Sequence, residues 1–283
     1  MVNIHDSVDA AQQKANPKMA LEIAVKETLG RIKRKFIVMS GKGGVGKTST
    51  AVNLAMALAA KGVKVGLIDV DLHGPDVPRM LGFTGILDLN AENKLIPMRY
   101  NEHLSAVSVE ALMEGKDDAI IWRGPVKHSM IQQFIGMVAW GDLDVLLIDA
   151  PPGTGDEPLT VAQSIREAQA IIVTTPQEVA LADVRKSINF CKTVQMKVFG
   201  LIENMSGFAC PHCHTALDLF GTGGGERTAS TMDVTFLGRI PFDAQMVACG
   251  DAGVAFQEKH PEAAVSRAYA QIAEKILANL AGG

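Results

Sequence analysis

The sequence predicts an α/β fold in which a mostly parallel sheet is covered by helices on both faces. Short apolar segments recur along the chain, and helical segments separate nearly all of them. The apolar segments are hydrophobic throughout rather than alternating, the pattern of strands buried on both sides. A glycine-rich turn over residues 41–46 joins the first strand to the helix after it, a junction that open α/β sheets use for ligands.

Taken in order, residues 19–34, "MALEIAVKETLGRIKR", place apolar side chains at roughly helical spacing. They end on basic residues, where the helix macrodipole favours positive charge. Residues 1–34 read as an N-terminal helical arm ahead of a single domain, 35–283. "FIVMS" (36–40) is the first strand and the alanine-rich stretch 47–61 a helix. Further strands follow in "VKVGLIDV" (63–70), "DVLLIDA" (144–150), "AIIVTT" (170–175), "VFGLIEN" (198–204) and "TFLGRI" (235–240). Helices are expected over 124–140, 156–167, 179–194, 224–231 and 262–280. Residues 84–109 lack a helical pattern and read as a β-rich excursion, a hairpin. No linker, repeat or low-complexity segment interrupts the domain.

Composition bounds the function. The 283 residues are 47% hydrophobic and 20% charged with net charge −4, enough for a large core and giving no electrostatic case for nucleic acid as the main partner, which would call for a strongly basic face. "MVNIHDSVDAAQQKANPK" lacks the apolar run and small-residue cleavage site of an export signal. No stretch reaches the ~18 apolar residues of a membrane span. The C-terminal "SRAYAQIAEKILANLAGG" has few basic residues and no bulky aromatic face for a membrane surface. The expected setting is the cytoplasm, where thiols stay reduced. The four cysteines, Cys191, Cys210, Cys213 and Cys249, then read as packing, metal or catalysis rather than disulfides.

After the first strand, Gly41-Lys42-Gly43-Gly44-Val45-Gly46-Lys47-Thr48 fits G-x-x-x-x-G-K-[ST] in its strand–loop–helix context. The expected architecture is therefore a P-loop NTPase fold. Glycines let successive backbone N–H groups converge on phosphate oxygens, and the following helix points its positive end there. Lys47 is expected to reach the β- and γ-phosphates of ATP, the Thr48 hydroxyl to ligate Mg²⁺, and Ser49 to join the loop in holding the nucleotide. Asp149 ends "VLLID" as a Walker B carboxylate that holds the metal through water, and "APPGTGDE" follows as a loop against the γ-phosphate. Asp69 and Asp71, in "IDVDLHGPD", end the second strand at the same sheet edge. Asp71 is a candidate for orienting or deprotonating the attacking water, or for holding the Mg²⁺ shell; Asp76 reads as a helix cap.

"CPHCH" (210–214) has the letters of a haem-attachment motif, a redox dithiol, half a zinc site or half an iron–sulfur site. Covalent haem ordinarily needs export, and redox C-P-H-C starts a helix in a fold this chain does not match. An iron–sulfur cubane and a Cys₄ zinc site each want four thiolates, and two copies about a two-fold axis supply four from one C-x-x-C. His212 and His214 read as solvated loop residues, and Cys191 and Cys249 as packing.

The stretches "GKGGVGKTS", "DVDLHGPDVP", "WRGP" (122–125), "LIDAPPGTGDEPLT", "TTPQEVAL", "IENMSGFACPHC" and "FGTGGGER" occur in that order across residues 35–243. In them the chain resembles the Mrp/ApbC family of iron–sulfur cluster carrier ATPases, relatives of MinD and the nitrogenase iron protein. Its loop resembles the deviant Walker A class, which implies that Lys42 crosses a two-fold interface to the partner's nucleotide, so that catalysis needs a homodimer. The resemblance further implies a [4Fe–4S] cluster bridged by Cys210 and Cys213 of two subunits, and ATP hydrolysis coupled to cluster transfer to apo iron–sulfur proteins. It also implies adenine contacts from Asn204 and from Pro241 and Asp243 in "RIPFD". Asp76 stands where that family usually has serine, and the first 34 residues carry no cysteine and are too short for the accessory domain of many bacterial members. The alternative is a MinD/ParA-like ATPase switch with a structural zinc or a regulatory cluster at the C-x-x-C.

Overall fold

The computed structural model describes residues 17–71, 74–85, 87–112, 124–210, 212–213 and 215–281. Residues 1–16 of the expected arm, and Trp122 and Arg123 of "WRGP", lie outside the described residues. Among the described residues, eight strands form one sheet in the order β10 (Phe236–Arg239), β7 (Val198–Glu203), β6 (Gln169–Thr174), β1 (Ile32–Ser40), β5 (Leu143–Asp149), β2 (Val65–Asp69), β4 (Leu104–Ser108) and β3 (Met98–Arg99). At its centre β1 pairs in parallel with β5 and β6. β2 lies beyond β5, and β7 and β10 lie beyond β6, all parallel. Parallel pairing carries the C-terminal ends of these strands to one edge of the sheet.

The unbroken apolar strands are explained by two cores. In β1, Phe36 and Val38 face one side and Ile37 and Met39 the other, the two-residue period of a strand buried on both faces. On the first side pack α2 (Lys47–Ala59) and the C-terminal α10 (Ala264–Ala281), with Leu54, Leu58, Tyr269 and Ile272 all buried. On the other side pack α4 (Gly124–Met137), α5 (Asp156–Ser164) and α6 (Glu178–Thr193) through Phe134, Val161 and Ile188.

The six expected strands are all present, but two assignments need correction. The N-terminal helix α1 runs over Pro17–Gly30, and Ile32–Arg34, read as its end, begin β1 instead. Lys33 and Arg34 look like a basic helix terminus, yet Ile32 is buried and pairs with Leu143. Val25 and Leu29 of α1 are buried in the same cluster as α4, and the Thr28 hydroxyl donates to the Gly136 carbonyl at 3.0 Å. The excursion at 84–109 is β-rich and holds antiparallel hairpin pairing as expected, Leu89 also bridging Leu95, but it is not separate from the main sheet. β4 (Leu104–Ser108) joins the main sheet in parallel beside β2, and only the two residues of β3 (Met98–Arg99) run antiparallel to it. Its serines disguised a strand whose alternate residues are fully buried.

Three short helices were not foreseen: α3 (Val77–Met80), α8 (Ala244–Asp251) and α9 (Phe256–Lys259). A small hairpin, β8 (Phe208–Ala209) with β9 (Ala216–Leu217), and the helix α7 (Gly224–Thr231) complete the chain between β7 and β10.

Leu67 of β2 is completely buried in the core shared with α2. Leu67→Ala should lower the unfolding free energy by about 2–5 kcal/mol in a urea titration. The exposed Lys197→Ala, as control, should stay within about 0.5 kcal/mol.

Candidate functional site

The glycine loop sits where β1 hands over to α2. Gly46 is the residue before the helix and adopts φ 79°, ψ 33°, a left-handed conformation that favours glycine. A Cβ there would also collide with the Asn204 side-chain amide. The loop is held at its start: the Ser40 hydroxyl donates to the Lys42 carbonyl at 2.9 Å, and the Ser40 carbonyl accepts from the Gly153 N–H at 2.9 Å. That second bond ties the loop to the "APPGTGDE" segment. Gly41 lies against the backbone of Asp183 in α6. Lys42 is half-buried, and Gly43 and Gly44 are exposed.

Lys47 is nine-tenths buried, and its ammonium sits among carboxylates. It donates to Asp149 Oδ1 at 2.7 Å, and Asp71 Oδ2 lies 3.8 Å away. The Thr48 hydroxyl donates to the other Asp149 oxygen at 2.7 Å. Burial pushes the Asp149 carboxyl up, opposed by the Lys47 charge and by hydrogen bonds from Lys47 and Thr48. Asp69 faces Asp149 in the β2–β5 register and is buried completely. Desolvation first, then the Asp149 charge, pushes its carboxyl well up.

The two carboxylates that the sequence offered together have different surroundings. Asp69 accepts from the backbone N–H groups of Asp71 at 3.1 Å and Val77 at 3.2 Å, so it holds the loop. Asp71 turns towards Lys47. Within the loop they organise, Leu72 and His73 lie outside the described residues. Asp76 occupies the position before α3, but its carboxylate makes no capping bond; it is exposed at the edge of a cleft. The helix-cap expectation for Asp76 is thus corrected.

That cleft, of about 290 Å³, runs from Gly46 and Ser49 to Asn204, Pro241 and Asp243. Residues named from separate stretches of sequence therefore line one cavity beside the glycine loop. Asn204 follows β7, and its side-chain amide donates to the Val45 carbonyl at 2.9 Å. Asp243 caps α8 by accepting from the Gln245 N–H at 2.9 Å. Phe242, inside the "RIPFD" segment, adds to the wall, and other parts of it were missed: Arg79 and Met80 come from α3, and Met246 and Val247 from α8. No motif marks them. The available signal was that Val247 is 58% exposed on a helix, a large apolar side chain with no core to face.

Beyond Asn204 the chain forms the β8–β9 hairpin with Cys210 half-buried and Cys213 exposed. The Cys210 N–H donates to the Thr215 carbonyl at 3.0 Å, and Cys213 Sγ lies 3.2 Å from Thr215 Oγ1. Hydrogen bonds from Thr215, its hydroxyl foremost, and from the Cys210 side chain hold the Cys213 thiol below its usual range. His212 is exposed, and His214 lies outside the described residues. Cys191 packs against Met39 of β1, and burial pushes its thiol up to about 12; Cys249 is buried in α8. Among the described residues, no group of three or more His, Cys, Asp or Glu could close around a metal ion. No described helix is long and apolar enough to cross a membrane.

Two outcomes follow from this geometry. Iodoacetamide at pH 8 should modify Cys210 and Cys213 in the folded protein and Cys191 only after urea, as read by peptide mass spectrometry. Gly46→Ala should raise the Kd for ADP at least about tenfold by calorimetry, a loss of about 1.4 kcal/mol, because the loop must leave its left-handed turn and displace Asn204.

Known proteins are similar to this chain. A family model described as ParA, NUBPL iron-transfer P-loop NTPase, matches residues 31–277. The "Iron-sulfur cluster carrier protein" of Saccharolobus solfataricus is 45% identical over 94% of this chain and 90% of its own length. The rat "Cytosolic Fe-S cluster assembly factor NUBP2" is 42% identical over 88% of this chain and 94% of its own length. Among solved structures, a nucleotide-binding protein of Archaeoglobus fulgidus in complex with ADP superposes with TM-score 0.72 at 38% identity, covering 82% of this chain and 91% of that one. The cell-division ATPase MinD of Pyrococcus furiosus, at 23% identity and TM-score 0.65 over 86% of this chain and 98% of its own, shares the fold. With the glycine loop, the buried Lys47–Asp149 pair and a family match over most of its length, this chain belongs to the NUBPL iron-transfer P-loop NTPases.

Proposed function

We propose that this chain is an ATP-dependent carrier of iron–sulfur clusters. As a homodimer it would hold a [4Fe–4S] cluster between two C-x-x-C hairpins and hand it to apo iron–sulfur proteins. The observation that carries the reading is the hairpin itself. It presents two thiols and no third metal-binding partner among the described residues, half of a four-thiolate set, close to a nucleotide cleft. A second copy supplies the other half. Exposed Leu217 and Leu219 follow the thiols in the chain and suit such a contact. Thiolates match a soft iron–sulfur cargo, and the Cys213 thiol is already biased towards its charged form. The names of the Saccharolobus and rat relatives support the same reading, and the latter's mention of the cytosol supports a cytoplasmic setting.

ATP is the substrate of the glycine loop in this reading. Lys47 would neutralise the β- and γ-phosphates, and Asn204, Pro241 and Asp243 would receive the adenine end. Thr48, Asp149 and Asp71 converge as oxygen donors, the ligand type Mg²⁺ prefers. The ion, when bound, neutralises charge on the phosphate oxygens. Asp71 orients the attacking water, and the buried Asp149 holds Lys47 and Thr48 in register. Lys42 of one protomer contacts the nucleotide of its partner, so hydrolysis proceeds only in the dimer.

Anaerobic reconstitution with iron and sulfide tests the proposal. The expected product is a brown dimer with about one four-iron centre per two chains, as four cysteine ligands require. Cys210→Ala/Cys213→Ala should abolish that absorbance. Mg·ATP should change the rate of cluster transfer to an apo-acceptor, and Lys47→Ala should remove the change. A colourless protein that retains only zinc overturns the carrier reading in favour of a nucleotide switch with a structural zinc.

A further inference from the structure

Glu203 ends β7 and is completely buried, although nothing in the phosphate chemistry uses it. A carboxylate in that position persists only when donors surround it. Its donors come from both roots of the cysteine hairpin. On the entering side the Ser206 hydroxyl donates to Oε1. On the leaving side the Gly223 N–H donates to the same oxygen at 2.8 Å, and the Gly225 N–H donates to Oε2. From β10 the Arg239 guanidinium lies 3.7 Å away. Glycine at 225 makes room for this approach, since a Cβ there would stand 3.0 Å from the Glu203 carboxylate.

The same residue is tied to the nucleotide cleft. Asn204, next in sequence, grips the Val45 carbonyl of the glycine loop. The Glu203 carbonyl accepts from the Ile240 N–H at 2.8 Å, immediately before Pro241 and Phe242 of the cleft wall. Phe242 in turn packs edge-on against Phe208 at 5.8 Å and Phe220 at 6.0 Å, which lie on opposite sides of the cysteines in the chain. Its N–H donates to the Gly207 carbonyl at 2.9 Å.

We propose that Glu203 is a positioning residue that couples occupancy of the nucleotide cleft to the geometry of the cysteine hairpin. The proposal rests on the carrier reading for what the hairpin holds, but the mechanical link stands whatever the cargo. Several bonds to one buried carboxylate form a stiff junction. A displacement of the β7 end, where Asn204 meets the loop, then moves both roots of the hairpin together. A loop anchored at one root would absorb it instead. Nucleotide binding thereby reaches the thiols without touching them.

The test uses the full chain, reduced and metal-free, with no nucleotide, with Mg·ADP, or with Mg²⁺ and a non-hydrolysable ATP analogue. Iodoacetamide alkylation rates at Cys210 and Cys213 are read by mass spectrometry. In the wild type the rates should differ about fivefold or more between nucleotide-free and analogue-bound protein, the lower end of ordinary coupling. Glu203→Gln should bring that ratio to about one while the protein still binds ADP. Ser206→Ala removes a single bond at the entering root and should reduce the ratio, so it decides the matter if Glu203→Gln fails to fold. A wild-type ratio of one overturns the proposal, and so do folded variants that keep the full wild-type ratio. If alkylation follows nucleotide through Glu203 but reconstitution yields no cluster, the carrier reading fails and the coupling survives. The reverse pair of results removes the coupling alone.

Discussion

The buried pairing of Lys47 with Asp149 is the interaction on which the rest of the site depends. Asp149 is fully buried at the end of a central strand, and Lys47 is nearly so at the start of the helix opposite. Either charge alone would be strongly unfavourable there; breaking such a pair typically costs about 3–5 kcal/mol. Together they fix the first turn of α2 against β5 and so set where the glycine loop must arch. Thr48 shares the same carboxylate, and Asp71 approaches from β2. A lysine held this way is pre-positioned, so less side-chain ordering is left to the moment of binding. Asp69 adds a second buried carboxylate beside the first, which the surrounding backbone N–H groups stabilise and which keeps the Asp71 loop in place.

Rigidity is unevenly distributed around this centre. The glycine loop rests on the middle strands of an eight-stranded sheet with cores on both faces. The cysteines rest on a hairpin of two two-residue strands, too short for independent stability. A weakly held hairpin on a strongly held base suits the carrier role proposed above, because a cargo that must be surrendered is better bound by something that yields. The aromatic contacts of Phe242 and the donors around Glu203 limit how far it yields.

Much of the architecture was legible in the residues because local and tertiary demands agreed. Uniformly apolar strands are what two-sided burial requires, and six were located to within a few residues. β4 escaped because the serines of "LSAVS" dilute the hydrophobic signal, although Ser108 is buried with its hydroxyl accepting from the Glu110 N–H. Ile32–Arg34 escaped because a strand that protrudes beyond its cover can carry charge, and charge after an apolar-periodic stretch also marks a helix end.

For the site, the boundary is equally physical. The sequence by itself determined the phosphate loop, the acidic strand ends and the paired thiols, since these depend on fixed spacing within short stretches. Only the tertiary structure decided that Asp69 holds a loop while Asp71 faces Lys47, that Asp76 opens onto the cleft, and that Met80 and Val247 help to wall it. Side chains contributed from α3, α8 and the end of β10 have no spacing in common. What brings them together is the parallel sheet, which delivers distant strand ends to one edge, and packing there is a property of the folded surface that no local pattern encodes.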